Sequence, residues 1–195
     1  MEGKELQGRI ALVNGASRGI GEAIAHGLAS RGATVVASSR DMDAVEQVAA
    51  DIAAAGGEAV AMTCHAGRLE EIDGLFERIR DAFGRLDILV NNAATNPYFG
   101  PAPGLPSEAF DKTVGVNLKG PYYMMARAVP LMAQGGGGSI VNVASIAGLT
   151  PQPGMGALSR RVSRTSHIAI ADAPAPSRIA HTECPAEGSK GRVAS

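Results

Sequence analysis

A glycine-rich turn near the amino terminus constrains the fold of this chain more than any other feature. Residues 14–21 read Asn-Gly-Ala-Ser-Arg-Gly-Ile-Gly, and they join a β-rich apolar run at 9–13 to a helical pattern at 19–30. A strand, such a turn and a helix in succession indicate a βαβ unit that binds the pyrophosphate of a dinucleotide. The alternative is an ordinary glycine-rich turn between a strand and a helix.

Each glycine of this turn has a separate predicted task. Gly15 permits the tight turn, Gly19 lets the backbone approach a pyrophosphate, and Gly21 lets the helix pack close to the sheet. The free N–H groups and the partial positive charge at the start of the helix also favour phosphate. The cofactor-binding residues predicted here are Gly15, Ser17, Arg18, Gly19, Ile20 and Gly21.

Strand-like runs alternate with helical patterns along the first 157 residues. The periodicity predicts strands at 9–13, 33–38, 58–64, 86–91 and 139–144. It predicts helices at 19–30, 42–55, 69–83, from an N-cap at Ser107 to about Leu118, and at 122–133. This alternation predicts an α/β fold, a Rossmann-type doubly wound parallel sheet of about five strands in the order 3-2-1-4-5, with helices on both faces.

The sequence changes character at about residue 158. Residues 158–195 are rich in Ser, Arg, Ala and Pro and contain no Phe, Trp or Tyr, and the apolar pair Ile168 and Ile170 extends into no periodic pattern. Such a composition buries too little apolar surface to offset the entropy of ordering the chain. We therefore predict a dinucleotide-binding domain at 1–157 and a mostly disordered tail at 158–195, the alternative being an ordered but poorly patterned extension.

Composition and charge exclude several classes of partner. The formal net charge is −1, and aromatic residues make up 4% of the chain with no Trp, which argues against nucleic acid and anionic membranes as partners. Cys64 and Cys184 match neither a metal-ligand spacing nor a disulfide framework, so we expect no metal site and a cytoplasmic location. Residues 1–7 lack the pattern of a signal peptide, and no apolar run approaches the ~20 residues that span a bilayer.

Four motifs in order resemble the short-chain dehydrogenase/reductase (SDR) family. They are the Gly-x-x-x-Gly-x-Gly turn, the Asn-Asn-Ala-Ala stretch at 91–94, Asn117, and Ser145 after a fifth strand. The resemblance covers roughly residues 7–157, and Asn14 stands where the family usually has Thr. Residues 64–67 and 92–100 look most like the carbonyl and retinal reductase branch, which implies reduction of a ketone or an aldehyde without fixing the substrate.

The resemblance implies roles for individual residues, and it also implies a loss. Ser145 corresponds to the serine that hydrogen-bonds the substrate oxygen, and Asn117 to the asparagine whose carbonyl holds a water of the proton relay. Asn91 and Ala93 border the cofactor. The family places a catalytic tyrosine thirteen residues after that serine and a lysine four residues further on, but this chain has Leu158 and Val162 there. Because neither side chain transfers a proton, we expect impaired turnover.

The end of the second predicted strand bears on the choice of dinucleotide. NAD-preferring members of the family usually carry an acidic residue where this chain has Ser39, and Arg40 follows. A guanidinium binds a 2′-phosphate that a carboxylate would repel, so Arg40 and Arg18 favour NADP(H) over NAD(H). Asp41 argues against this preference, because a shift of the alignment by one residue would place its carboxylate near the ribose. His65 either contacts the adenine edge or caps its own loop.

The combined expectation is an NADP(H)-dependent oxidoreductase that interconverts a carbonyl and an alcohol by hydride transfer, with impaired turnover. The partner implied is a small-molecule carbonyl or alcohol. Intact family members are usually homo-oligomers, but the helices that form their interface are missing here, and the sheet is expected to be incomplete with an open edge at the fifth strand. The alternatives are a non-catalytic dinucleotide-binding module and a non-functional frameshift product.

Overall fold

The computed structural model describes residues 4–145 and 168–170. These residues carry the sheet, its helices and the predicted cofactor-binding positions. The positions of Leu158 and Val162, and the predicted boundary between residues 157 and 158, lie outside the described residues.

A single sheet of six strands forms the centre of the structure, in the order β3-β2-β1-β4-β5-β6. The first five strands are parallel, and their order confirms the predicted doubly wound arrangement. The strands are β1 (Ile10–Asn14), β2 (Thr34–Ser39), β3 (Glu58–Thr63), β4 (Ile88–Asn91), β5 (Gly138–Asn142) and β6 (Ile168–Ile170).

The sixth strand contradicts the expected open edge of β5. β6 pairs antiparallel with β5, with Ile168 opposite Ile140 and Ile170 opposite Gly138. Three residues are too few to show a period in the sequence, yet they pair with the backbone groups that an edge strand leaves free. The strand therefore covers the edge that was expected to be exposed.

Helices cover both faces of the sheet, as predicted. They are α1 (Gly19–Ser30), α2 (Met42–Ala54), α3 (Leu69–Phe83), α4 (Ser107–Val114) and α5 (Gly120–Gln134). Successive residues of a strand point to opposite faces, so Leu12 packs in the cluster that contains Leu75 of α3 and Met124 of α5, while Val13 packs in the cluster that contains Ala25 of α1 and Ile52 of α2. No helix in the described part of the chain is long and apolar enough to cross a membrane.

The predicted break between two helices near residue 120 is wrong. α4 continues into α5 through a π-helical turn, Gly115–Lys119, in which the N–H of Gly120 donates to the carbonyl of Gly115. Pro121 has no N–H for an α-helical bond, and the wider turn carries the chain past it. The predicted N-cap is also displaced, because Pro106 occupies that position and Ser107 is the first helical residue.

A buried carboxylate joins the amino ends of β1 and β4, opposite the predicted site. The Asp87 side chain is 3% exposed and accepts hydrogen bonds from the N–H of Ile10 at 2.9 Å, from Arg9 at 2.8 Å and from Arg85. Burial raises the pKa of this carboxyl, but the bonds from Arg85, Ile10 and Arg9 outweigh it and hold the pKa below its usual value. The ionised carboxylate of Asp87 therefore links the two central strands β1 and β4.

Candidate functional site

A cleft of about 280 Å³ opens at the carboxyl ends of β1, β2, β3 and β4. Ligands of doubly wound sheets bind at this end of the strands. Seven of the predicted cofactor residues line it, namely Gly15, Ser17, Arg18, Ser39, Arg40, His65 and Ala93. The other lining residues are Asn14, Cys64, Ala66, Asn92, Ala94, Thr95, Lys112 and Val116.

The glycine turn forms one wall of the cleft and leaves no room for a side chain at Gly15 or at Gly21. Gly15 has a positive φ of 80°, and its N–H, together with that of Ala16, donates to the carbonyl of Ser38 at 2.7 and 3.0 Å. A Cβ atom on Gly15 would lie 2.7 Å from the nitrogen of Ala93, and one on Gly21 would lie 2.1 Å from the carbonyl oxygen of Gly15. The tight packing at Gly21 is therefore against the turn itself rather than against the sheet.

The start of α1 lies beside this turn. Arg18 is the N-cap residue, is extended, and provides no capping hydrogen bond from its side chain. The N–H of Gly19 donates to the carboxylate of Glu22 at 3.1 Å, and Ile20 is 65% exposed. Gly19, Ile20 and Gly21 do not line the cleft, so the helix presents Arg18 and the preceding turn to it.

A row of buried polar side chains crosses the sheet beneath the cleft. Ser38, Asn14, Asn91 and Asn142 stand in register on β2, β1, β4 and β5, and Asn91 Nδ2 donates to Asn142 Oδ1 at 2.8 Å. Asn14 Oδ1, Ser38 Oγ and Asn91 Oδ1 are buried with no hydrogen-bond partner in the described structure. Buried polar atoms in proteins are nearly always paired, and of these three residues Asn14 lines the cleft, so its Oδ1 suits a polar group or an ordered water bound there.

Two asparagines hold the loop after β4 in place. Asn92 Nδ2 donates to the carbonyl of Gly15 at 2.9 Å, which ties this loop to the glycine turn. Asn117 Oδ1 accepts from the N–H of Thr95, and Asn117 Nδ2 donates to the carbonyl of Thr95, both at 2.8 Å. The wall of the cleft that contains Ala93 and Thr95 is therefore anchored at both ends.

The two residues predicted to be catalytic lie outside the lining of the cleft. Asn117 is in the π-helical turn, and because residue 121 is proline its carbonyl has no N–H donor four residues later. Ser145 follows β5 and is exposed. The structure does not bring either side chain into the cleft that the cofactor residues line.

The loop after β3 supplies the far end of the cleft. His65 Nδ1 accepts from the N–H of Gly67 at 3.1 Å, so the imidazole caps its own loop while the residue also lines the cleft. The N–H of His65 donates to Glu71 at 2.7 Å, and this bond is the main cause of the lowered pKa of Glu71. Burial, with a smaller contribution from the charge of Glu71, raises the pKa of Cys64 to about 12, so its thiol stays neutral.

Among the residues that the structure describes, the charged side chains that line the cleft are all cations. They are Arg18, Arg40 and Lys112, and no described Asp or Glu lines the cleft. Asp41, considered above as a possible ribose ligand, is engaged elsewhere: its carboxylate accepts from the N–H of Ala44 at 3.2 Å and caps α2. Ser39 Oγ in turn bonds the backbone of Asp41.

Sequence reasoning missed Lys112, which reaches the cleft from α4. The sequence held one signal, because Lys112 precedes Val116 by four residues and such pairs share a helix face. Thr95 and Val116 were missed as well, although each is adjacent to a motif that is visible in the sequence. Their place in the site depends on how the loop after β4 folds back onto the helix.

A family model described as short chain dehydrogenase matches residues 9–159. The chain belongs to the short-chain dehydrogenase family. The resemblance predicted from the four motifs is therefore confirmed.

The human dehydrogenase/reductase SDR family member 4 is 40% identical over 165 residues, which cover 85% of this chain and 59% of that relative. An uncharacterized oxidoreductase of Thermotoga maritima is 40% identical over 147 residues, which cover 75% of this chain and 57% of its length.

Solved structures of short-chain dehydrogenases share the fold. A metagenomic short-chain oxidoreductase in complex with NADP superposes with a TM-score of 0.77 and 38% identity, covering 81% of this chain and 71% of that one. An NAD⁺-bound xylitol dehydrogenase superposes with a TM-score of 0.77 and 30% identity, covering 82% of this chain and 61% of that one. This short-chain dehydrogenase thus has the NAD(P)-binding Rossmann-like fold of an oxidoreductase family, and it spans about three fifths of the length of the human relative.

Proposed function

We propose that this short-chain dehydrogenase binds NADP(H) in the cleft and derives from oxidoreductases that interconvert a small-molecule carbonyl and an alcohol, with impaired turnover in this chain. The observation that carries the proposal is the cleft itself. It combines a glycine turn with no room for a side chain at Gly15 or Gly21, an underlying row of buried polar side chains, three cations and, among the described residues, no lining carboxylate.

The lining residues suit a phosphorylated dinucleotide by their chemistry. The end of the glycine turn, next to the start of α1, suits the diphosphate, because the helix dipole favours anions there. Ser39 and Arg40, at the end of β2, suit the ribose and its 2′-phosphate, and Arg18 adds a second guanidinium. We assign His65 to the adenine end, and Asn91 and Ala93 to the border of the cofactor.

The reaction of the family needs hydride transfer to a carbonyl carbon and a proton for its oxygen. The nicotinamide supplies the hydride when bound. Ser145 is proposed to hydrogen-bond the substrate oxygen, and the Asn117 carbonyl to hold a water of the relay. A positioned general acid contributes ~10²–10⁴-fold in rate, and the leucine and valine at 158 and 162 provide neither an acid nor a cation to activate one.

A second candidate is a dinucleotide-binding module without catalysis. Leu158 and Val162 favour it specifically, because the family's proton donor and its lysine are both replaced while the cofactor residues at the cleft are present. The two candidates share the cleft and differ only in turnover.

The first prediction separates these candidates with one purified sample of the chain. NADPH is expected to bind, measured by the change in its fluorescence on titration. Turnover on a panel of ketones and aldehydes is expected to be at least ~100-fold below that of a short-chain dehydrogenase that carries the tyrosine and lysine. Oxidation of NADPH no faster than in a protein-free control would favour the binding module. Absence of binding by a folded sample would refute both candidates.

The second prediction concerns Arg40. Arg40→Ala is expected to weaken NADPH binding by about tenfold and to leave NADH binding unchanged, because a guanidinium–phosphate bond is charge-assisted and NADH has no 2′-phosphate. The matched control is Arg31→Ala, which removes another exposed arginine at the far end of α1. An equal loss for NADPH and NADH, or no loss, would contradict the proposed place of the 2′-phosphate.

A further inference from the structure

Lys112 is a cation that lines the cleft, and the assignment of the nucleotide site given above includes no role for it. It lies in the last turn of α4, is exposed, and forms no ion pair or side-chain hydrogen bond with the residues the structure describes. Its neighbour one helical turn later, Val116, lines the same cleft, so this face of the helix is directed at the ligand space. A long cationic side chain that lines a cleft with no carboxylate among its described lining residues is suited to an anion.

Among the described residues, the cations that line the cleft come from two walls. Arg18 and Arg40 follow β1 and β2, on the side of α1 and α2, where the 2′-phosphate is proposed to lie. Lys112 comes from the other wall, which is formed by α4 and the loop after β4; that loop is fastened to the helix through Asn117 and Thr95. A ligand that fills the cleft therefore meets cations of both walls.

We propose that Lys112 is a third cationic contact of the nucleotide and acts on the adenosine diphosphate half, which NADP(H) and NAD(H) share. This proposal rests on the proposed function and assigns different roles to the three cations. The two arginines distinguish the phosphorylated nucleotide from the unphosphorylated one, and Lys112 raises the affinity for both. Because the ammonium is exposed, its attraction is screened by salt, so its contribution falls as ionic strength rises.

The test compares Lys112 with Lys119, which lies on the same continuous helix, is also exposed, and does not line the cleft. Binding of NADPH and of NADH is measured by fluorescence titration at low and at high salt for the wild type, Lys112→Ala, Lys112→Glu and Lys119→Ala. Thermal unfolding of each variant checks that the fold is retained. We expect Lys112→Ala to weaken both nucleotides by about three- to fivefold, and Lys112→Glu by about tenfold, with smaller losses at high salt.

The outcomes separate this inference from the proposal it rests on. Equal affinities for Lys112→Ala and Lys119→Ala, with a wild type that binds NADPH, would overturn the role of Lys112 alone. A loss confined to NADPH would place Lys112 at the 2′-phosphate and would also overturn the assignment. If the wild type bound neither nucleotide, the proposed function would be refuted, and this inference would be refuted with it.

Discussion

Replacing Gly21 by alanine is expected to abolish nucleotide binding and to lower the free energy of unfolding by about 3 kcal/mol. The added Cβ would lie 2.1 Å from the carbonyl oxygen of Gly15 and 2.5 Å from Asn92 Nδ2. Those two atoms belong to groups that are hydrogen-bonded to each other at 2.9 Å, so neither moves away without breaking the link between the glycine turn and the loop after β4. Both walls of the cleft would be displaced by one methyl group.

Gly27→Ala is the matched control for this substitution. Gly27 lies in the same helix, and a Cβ there would have no heavy atom of the described residues within 4 Å beyond its own stretch of the helix. Alanine favours helix over glycine by about 1 kcal/mol, so this variant is expected to be slightly more stable than the wild type and to bind NADPH equally well. Urea unfolding and NADPH titration of the two variants check both expectations. Retained stability and binding in Gly21→Ala would show that the turn has more room than the structure gives it.

The second large effect is expected at Asp87, at the amino ends of β1 and β4, which is the end of the sheet opposite the cleft. Asp87→Ala removes the acceptor for the N–H of Ile10 and for two arginines, and is expected to lower the free energy of unfolding by about 3 kcal/mol. The control is Asp81→Ala, which removes an exposed carboxylate paired with the exposed Arg80 and is expected to change stability by less than about 0.5 kcal/mol. Urea unfolding at pH 7 measures both. Similar losses in the two variants would contradict the special role of the buried group.

The stabilisation by Asp87 is also expected to depend on pH in a definite direction. Because the pKa of this carboxyl is lowered in the folded state, its contribution is fully present above the unfolded value near ~4 and is lost as the pH falls towards the folded value. The difference in unfolding free energy between the wild type and Asp87→Ala should therefore shrink below about pH 4. Urea unfolding from pH 7 to pH 3 measures this difference, and a difference that grows with acid would refute the predicted shift.

Local signals in the sequence were enough for most of the fold. The helices at Gly19–Ser30 and Leu69–Phe83 lie where the apolar periodicity placed them, and Gly84, with a φ of 68°, ends the second of these. The parallel order of the first five strands follows from their alternation with helices. Strand ends moved by at most two residues in the structure, since the boundary of a strand depends on its neighbours as much as on its own residues.

The misplaced elements depend on contacts that no local pattern shows. Gly120 and Pro121 read as a break, but a Cβ on Gly120 would lie 2.1 Å from the carbonyl oxygen of Ala66. The close approach of this helix to the loop after β3 therefore needs glycine there, and the helix continues through the π-helical turn. β6 was missed because its three residues gain their partners only from β5.

The candidate site was predictable to different degrees on its two walls. The glycine turn and Arg40 are read directly from the sequence because they follow strands whose ends meet at one edge of the sheet. Lys112 and Val116 reach the cleft from a helix that is joined to the loop after β4 by the bonds between Asn117 and Thr95. The pairing of those two residues is a tertiary contact, and spacing alone gives no sign of it.

The row of asparagines across the sheet has a consequence for how the strands align. β1 and β4 are apolar except at their last residues, Asn14 and Asn91, so a slip of either strand would still bring apolar residues together. A slip of β4 by one residue would carry Asn91 to the opposite face and break the bond from Asn91 Nδ2 to Asn142 Oδ1, leaving a buried donor unpaired at a cost of about 1–3 kcal/mol. This apolar strand thus has one favoured alignment with β5, and the loops that follow the two strands leave the sheet at the same level.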